Sequence, residues 1–243
     1  MPKIQTVLSP MLLQLTNLTG KTVVVIDILR ATSSMCVAFA HGAQRIKPVS
    51  TPQECITYAP QGFICAAERD GKPVEGFAIG NSPFSYMEPA IKGASIAITT
   101  TNGTQAIEMS KSASRIMIGS FLNKKALCKE LIRQQQDVIL LCSGWKNNYN
   151  LEDTLFAGAV AKELQDEFSI ADDATIGAID LYEVASRDLN SYIKKSSHAH
   201  RFITLGIEKD IAFCLQQDIY DLVPILENDF LILPESNLIA SIT

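Results

Sequence analysis

The segment Ser95-Ile96-Ala97-Ile98-Thr99-Thr100-Thr101-Asn102-Gly103-Thr104 constrains this chain more than any other. An apolar run passes through a hydroxyl-rich turn into residues with helical spacing, for which Ala106, Ile107, Met109, Ala113 and Ile116 supply the apolar positions. A strand that turns directly into a helix aims unpaired backbone N–H groups, and the positive end of the helix, at whatever lies beyond the strand. Asn102-Gly103 also suits a hairpin turn, but a hairpin needs a strand on both sides, and Thr104 onward keeps helical spacing.

The same order recurs. Thr22 to Ile28 reads as a strand, followed by a helix to about Ala43 with Thr32 or Ser33 as its N-cap. Arg115 to Gly119 is a strand that passes Ser120 into a helix from about Asn123 to Gln135. Val138 to Cys142 is a strand that leads through Ser143-Gly144-Trp145 into a helix from Leu151 to about Phe168. Strands alternating with helices predict an α/β fold, with a mostly parallel or mixed sheet covered by helices on both faces. In such sheets the loops at the C-terminal strand ends form the ligand crevice. Residues 60–94, rich in Gly and Pro, read as loops or short strands. Helices are expected over Asp180–Lys195 and Ile207–Gln217, and a last strand at Phe230–Leu233. The 243 residues fit one domain, or two subdomains around a central crevice.

Composition narrows the function. Hydrophobic residues make up 47% and the net charge is −5, with no Lys/Arg cluster, so nucleic acid is not an expected partner. No apolar run approaches the roughly 20 residues of a membrane span, and nothing reads as a signal peptide. The six cysteines include no Cys-x-x-Cys pair and read as reduced core thiols, so a cytoplasmic location is expected.

The strand-end loops carry the candidate chemistry. Asp27 ends a continuous apolar run and Arg30 follows three residues later. A carboxylate there suits Mg²⁺, and a guanidinium suits an anion; the plain alternative is a structural Asp–Arg pair. Glu68-Arg69-Asp70-Gly71 adds carboxylates and a second guanidinium, or is an ordinary charged turn. Asn81 and Ser82 of Gly80-Asn81-Ser82-Pro83, with Thr100, Thr101, Asn102, Gly103, Thr104, Ser143 and Gly144, are the candidate substrate-binding residues. Glu152 and Asp153 open a helix, where the dipole alone favours acids, and one of them is a candidate second metal ligand or general base. Absent motifs matter too. Gly20-Lys21-Thr22 lacks the rest of a P-loop, residue 29 is Leu where aspartyl-phosphate phosphatases need a second Asp, and no Cys is followed six residues later by Arg. His198 and His200 have no Cys nearby, which argues against zinc; surface placement is expected for them, and the alternative is that one of the two reaches the site.

Seven motifs, in order, resemble those of the 2-phosphosulfolactate phosphatases. They are Val25-Ile26-Asp27-Ile28-Leu29-Arg30-Ala31-Thr32, Glu68-Arg69, Gly76-Phe77, Gly80-Asn81-Ser82-Pro83, Thr99-Thr100-Thr101-Asn102-Gly103-Thr104, Gly119-Ser120-Phe121-Leu122-Asn123, and Gly144-Trp145 with Leu151-Glu152-Asp153. The resemblance implies a Mg²⁺-dependent hydrolase acting on a 2-phospho-3-sulfo-carboxylic acid, a step on the route to coenzyme M in some organisms. It also implies an α/β fold unlike the common phosphatase folds. Asp27, Arg30, Glu68 and Arg69 are then the expected catalytic residues, and Asp27, Glu68 and Asp153 the expected Mg²⁺ ligands. Nothing in the sequence separates a nucleophilic Asp27 from a metal-binding one. Ser143 and Ala67 stand where Ala and Gly are the commoner family choices, so Ser143 is expected to add a hydroxyl at the site rim. The expected partners are a small anionic phosphate ester and, beyond it, at most a second copy of the chain. A sugar-phosphate enzyme and a non-catalytic phosphometabolite sensor are the competing readings.

Overall fold

Thr22-Val23-Val24-Val25-Ile26 is buried along its whole length, as a strand must be when helices cover both faces of its sheet. The computed structural model describes residues 1–234. In chain order the first half comprises β1 (Lys3–Val7), α1 (Pro10–Leu13), β2 (Thr22–Ile26), α2 (Ala31–Ala40), β3 (Arg45–Pro48) and α3 (Pro52–Ile56). Then come β4 (Ile64–Arg69), β5 (Lys72–Pro73), β6 (Ser95–Thr99), α4 (Gly103–Met109), β7 (Arg115–Gly119) and α5 (Lys124–Gln134). The second half continues with β8 (Val138–Cys142), α6 (Leu151–Leu164), β9 (Ser169–Ile170), α7 (Asp173–Ala185) and α8 (Leu189–Ile193). It ends with α9 (Ser197–Thr204), α10 (Glu208–Cys214), β10 (Ile225–Glu227) and β11 (Phe230–Ile232).

One sheet runs in the order β5-β4-β6-β3-β11-β10-β7-β2-β8-β1-β9. It is an α/β fold with a mixed sheet. β4, β6 and β3 are mutually parallel, as are β7, β2, β8, β1 and β9. The hairpin β10–β11 joins the two groups: Ile225 lies antiparallel opposite Met117 of β7, and Leu231 opposite Ile46 of β3. Side chains alternate between the faces with period 2. Val24, Ile26, Met117 and Leu140 pack with Leu127, Phe156 and Val160 on one side. Val23, Val25, Ile118 and Ile139 pack with Met35, Phe39 and Ile107 on the other.

Several local expectations are corrected. The helix after β6 stops at Met109, and Ile116 belongs to β7. Neither Thr32 nor Ser33 caps α2, because the helix begins earlier, at Ala31. Thr32 Oγ1 instead donates to the Asp27 carbonyl at 2.9 Å, and the Asp27 carboxylate accepts from Ala31 N at 3.2 Å. α6 ends at Leu164, and the helix expected over Asp180–Lys195 is two helices, broken where Asp188 caps α8. Among the described residues no helix is long and apolar enough to cross a membrane.

Candidate active site

The C-terminal ends of β2, β4, β6 and β8 converge on one cleft, and α9 and α10 lie over it. Asp27, Leu29 and Arg30 reach it from the β2–α2 turn, Glu68 and Gly71 from β4 and its turn, and Asn102 from the turn after β6. Asn81, Trp145, His198, Arg201 and Phe202 complete the lining.

Asp27 is 6% exposed. Its Oδ1 accepts from Ala31 N, while Oδ2 makes no hydrogen bond among the described residues. Burial pushes its carboxyl up to about 6, helped by the Glu68 and Glu152 charges and opposed by the Ala31 amide and His198. Gly103 makes room for this carboxylate, since a Cβ there would stand 2.9 Å from Asp27 Oδ2 and 2.5 Å from the Ala31 Cβ. Glu68 accepts from Gly71 N through Oε1 and from Thr101 N, at 3.2 Å, through Oε2. Asn81 Oδ1, which belongs to a cleft residue, is buried and has no hydrogen-bond partner among the described residues.

Arg30 is buried and held from two sides. Asp210 of α10 forms an ion pair with Nη1, and the Gly71 carbonyl accepts from Nη2 at 2.9 Å. Ser82 Oγ donates to the other oxygen of Asp210 at 3.1 Å, so Ser82 braces the ion pair. The Phe202 ring lies 5.0 Å from the guanidinium.

The cleft therefore gathers Asp27, Arg30, Glu68, Asn81 and Asn102 from the sequence-predicted set. The others do not line it. Arg69 gives its terminal nitrogens to the Glu68 and Ser50 carbonyls and to Thr99 Oγ1, and lines a neighbouring cavity with Thr100, Thr101 and Thr104. Thr100 and Thr104 satisfy each other, with three hydrogen bonds of 3.0 to 3.2 Å. Asp153 accepts from Ile28 N at 2.9 Å and Gly144 N at 3.0 Å, so its carboxylate ties the β2 and β8 loops together. Burial, then the Asp27 and Glu152 charges, raises it well above the usual carboxylate range. Ser143 Oγ is buried without a partner among the described residues, and Ser143 does not line the cleft.

The late histidines divide. His200 is exposed, as expected, but His198 is buried, and its Nδ1 pairs with Glu152 Oε1. Its ring stacks edge-on against Phe202 at 4.7 Å and tilts against Trp145 at 5.5 Å. Glu152 is more than a first-turn acid at a dipole: it is fully buried, and its Oε2 has no partner. Sequence reasoning held a late histidine at the site only as the alternative to surface placement, and missed Arg201, Phe202 and Asp210 altogether. A signal for three of them exists. Ser196 caps a helix that begins at Ser197, and His198, Arg201 and Phe202 follow at i, i+3 and i+4, the spacing of one helical face.

All six cysteines are free and buried, and burial pushes Cys36, Cys55, Cys128 and Cys214 up to about 12. Thiols held so far from ionisation are poor nucleophiles.

The 2-phosphosulpholactate phosphatase family model matches residues 7–229. A Thermotoga petrophila protein named "Probable 2-phosphosulfolactate phosphatase" is 41% identical over 216 residues, covering 88% of this chain and 93% of its own. Proteins of the same name from Caldanaerobacter subterraneus and Symbiobacterium thermophilum are 36% and 35% identical, over 87% and 90% of this chain and 90% and 97% of their own. Seven sequence motifs, a cleft that draws residues from five of them, and a match over nearly the whole length agree: the chain belongs to the 2-phosphosulpholactate phosphatase family of phosphoric monoester hydrolases.

Proposed function

We propose that the chain hydrolyses 2-phosphosulfolactate, or a related phosphorylated 2-hydroxy acid, with Mg²⁺ as its cofactor. The observation that carries the reading is the meeting of two carboxylates, Asp27 and Glu68, with Arg30, Arg201 and His198 in one cleft.

Hydrolysis of a phosphate monoester needs neutralised charge, an ordered ester and a proton for the leaving oxygen. The donor set suits a hard cation that takes oxygen ligands. Asp27 Oδ2 is free of hydrogen bonds, Glu68 is close by, and the Asn81 amide oxygen is buried and unpartnered. Mg²⁺ bound by these residues would supply charge stabilisation and polarise the phosphate. Arg30 is fixed by Asp210 and the Gly71 carbonyl, so its planar group faces the cleft without reorganising. His198, oriented by Glu152, is the proton donor for the leaving oxygen; its Nε2 makes no hydrogen bond among the described residues.

Phosphate release from 2-phosphosulfolactate, 2-phospholactate and glucose 6-phosphate, each with Mg²⁺ and with excess chelator, tests the reading. The expected result is turnover of the first two, little of the third, and loss on chelation. No release from either hydroxy-acid ester in the presence of Mg²⁺ rules the function out, and release that ignores the chelator rules the cofactor out.

A further inference from the structure

Three guanidinium groups stand in or beside the cleft, and their surroundings differ. Arg30 is neutralised by Asp210 and also bonded to the Gly71 carbonyl. Arg69 is engaged by two carbonyls and Thr99 Oγ1 and lines the neighbouring cavity. Arg201 lines the cleft with no hydrogen-bond acceptor and no carboxylate at ion-pair distance among the described residues. Its Nε is buried and unsatisfied among the described residues. Its guanidinium lies 3.4 Å from the centroid of the Trp145 ring, which fixes the plane of the fork.

A half-buried cation without an anion is costly to hold. Burial lowers the Arg201 pKa, and the more distant Glu68, Asp70 and Glu152 charges, which raise it, do not make up the loss. A cationic fork held flat on an aromatic ring, with its donors unused, is organised to receive a planar or trigonal anion in a bidentate manner. The phosphate does not need it, since Arg30 and the carboxylate-held cation of the proposed function already serve the reacting group. We infer that Arg201 binds the second, non-reacting anion of the substrate, its carboxylate or sulfonate, and so sets the preference for polyanionic esters over simple phosphates. This rests on the hydrolytic reading above.

A matched series tests it. Isopropyl phosphate is 2-phospholactate with a methyl in place of its carboxylate, and 2-phospholactate is 2-phosphosulfolactate with a hydrogen in place of its sulfonate. R201Q should lose about 10- to 100-fold in kcat/KM on 2-phosphosulfolactate, mainly through KM, the scale of one charge-assisted pair. On isopropyl phosphate the change should stay below about 2-fold. Loss shared by 2-phospholactate assigns the contact to the carboxylate, and loss confined to 2-phosphosulfolactate assigns it to the sulfonate; both outcomes support the inference. R201K keeps the charge without the fork and should fall between, which also covers an R201Q that fails to fold. Equal losses on all three esters, or none on any, overturn the inference. Calorimetric titration of sulfolactate gives a readout independent of turnover: affinity should fall at least about 10-fold in R201Q, and unchanged affinity overturns the inference. A wild-type protein that hydrolyses none of the esters removes the proposed function, and the titration then decides Arg201 alone.

Discussion

Arg30 and Asp210 lie 180 residues apart in the chain and meet as a buried ion pair at the cleft. The contact ties α10 to the turn that carries Asp27, so the C-terminal helices are part of the site. Breaking such a pair by removing one partner leaves a buried charge uncompensated and costs about 3–5 kcal/mol. Asp210→Ala should therefore lower the urea midpoint sharply, and Asp210→Asn, which keeps an acceptor for Arg30, should lower it less. Both should reduce kcat/KM, because the Arg30 fork loses its brace. An Asp210→Ala protein with parental stability would contradict the role given to this pair.

The Glu152–His198 pair has its own signature. If His198 protonates the leaving oxygen, its value depends on how badly that oxygen needs a proton. His198→Gln and Glu152→Gln should slow hydrolysis of an alkyl phosphate by about 10²- to 10⁴-fold. On 4-nitrophenyl phosphate, whose leaving group departs as a stable anion, the loss should shrink to within about 10-fold. Equal losses on both esters would mean that the pair supports the fold or binds phosphate.

The legible part of this molecule is local. β2, β7 and β8 could be read because continuous apolar runs end in polar turns, and α5 because Ser120 and a helical pattern follow β7 directly. Asp27, Glu68 and Asn102 followed from their place at or beside strand ends, and Asn81 from the Gly80-Asn81-Ser82-Pro83 turn. What stayed hidden depends on distant packing. His198 looked like a surface residue because its partner, Glu152, is 46 positions away. Thr32 looked like a cap, yet its hydroxyl serves the Asp27 backbone, and the Asp27 carboxylate meets the first helical amide. The β10–β11 hairpin was half seen. Each strand has only three residues, but Asn228 and Asp229 between them take left-handed backbone angles, the turn chemistry that marks tight hairpins.

Asp27 gives a pH prediction. Burial raises its carboxyl from 3.8 to about 6, so the folded protein binds the proton more tightly than the unfolded chain does. The sign follows: Asp27 favours folding at low pH, that contribution is lost as pH rises from about 4 to about 6, and above this the penalty is complete. The gap corresponds to about 3 kcal/mol. Asp27→Asn removes it, so in chelator the variant should be more stable than the parent at pH 8 and no more stable below pH 4. Hydrolysis should be abolished. In the parent, protons compete with Mg²⁺ for this carboxylate, and apparent Mg²⁺ affinity should weaken as pH falls through about 6. Denaturant titrations at the two pH values settle the sign, and a variant less stable than the parent at pH 8 contradicts it.

Two glycines separate support of the site from support of the fold. Gly103 and Gly177 both lie in helices, α4 and α7, without left-handed angles, so alanine suits both backbones. At Gly177 a Cβ meets nothing within 4 Å. Gly177→Ala should stabilise by about 0.5–1 kcal/mol through helix propensity and leave kcat unchanged. At Gly103 the same methyl meets the Ala31 Cβ at 2.5 Å and Asp27 Oδ2 at 2.9 Å, closer than real Cβ contacts come. Overpacking of this kind costs about 1–3 kcal/mol. The Ala31 Cβ is fixed to the α2 backbone, so α2 or α4 must shift, and the Asp27 carboxylate, the flexible one of the two neighbours, is pushed aside with it. Gly103→Ala should therefore lose more in kcat than its stability loss explains, with weaker Mg²⁺ activation, because the displaced group is the proposed cation ligand. Matched melting curves and Mg²⁺ titrations of the two variants make the comparison. A Gly103→Ala enzyme with parental kcat and Mg²⁺ response would show that the Asp27 carboxylate tolerates displacement, and would remove it from the centre of the reaction.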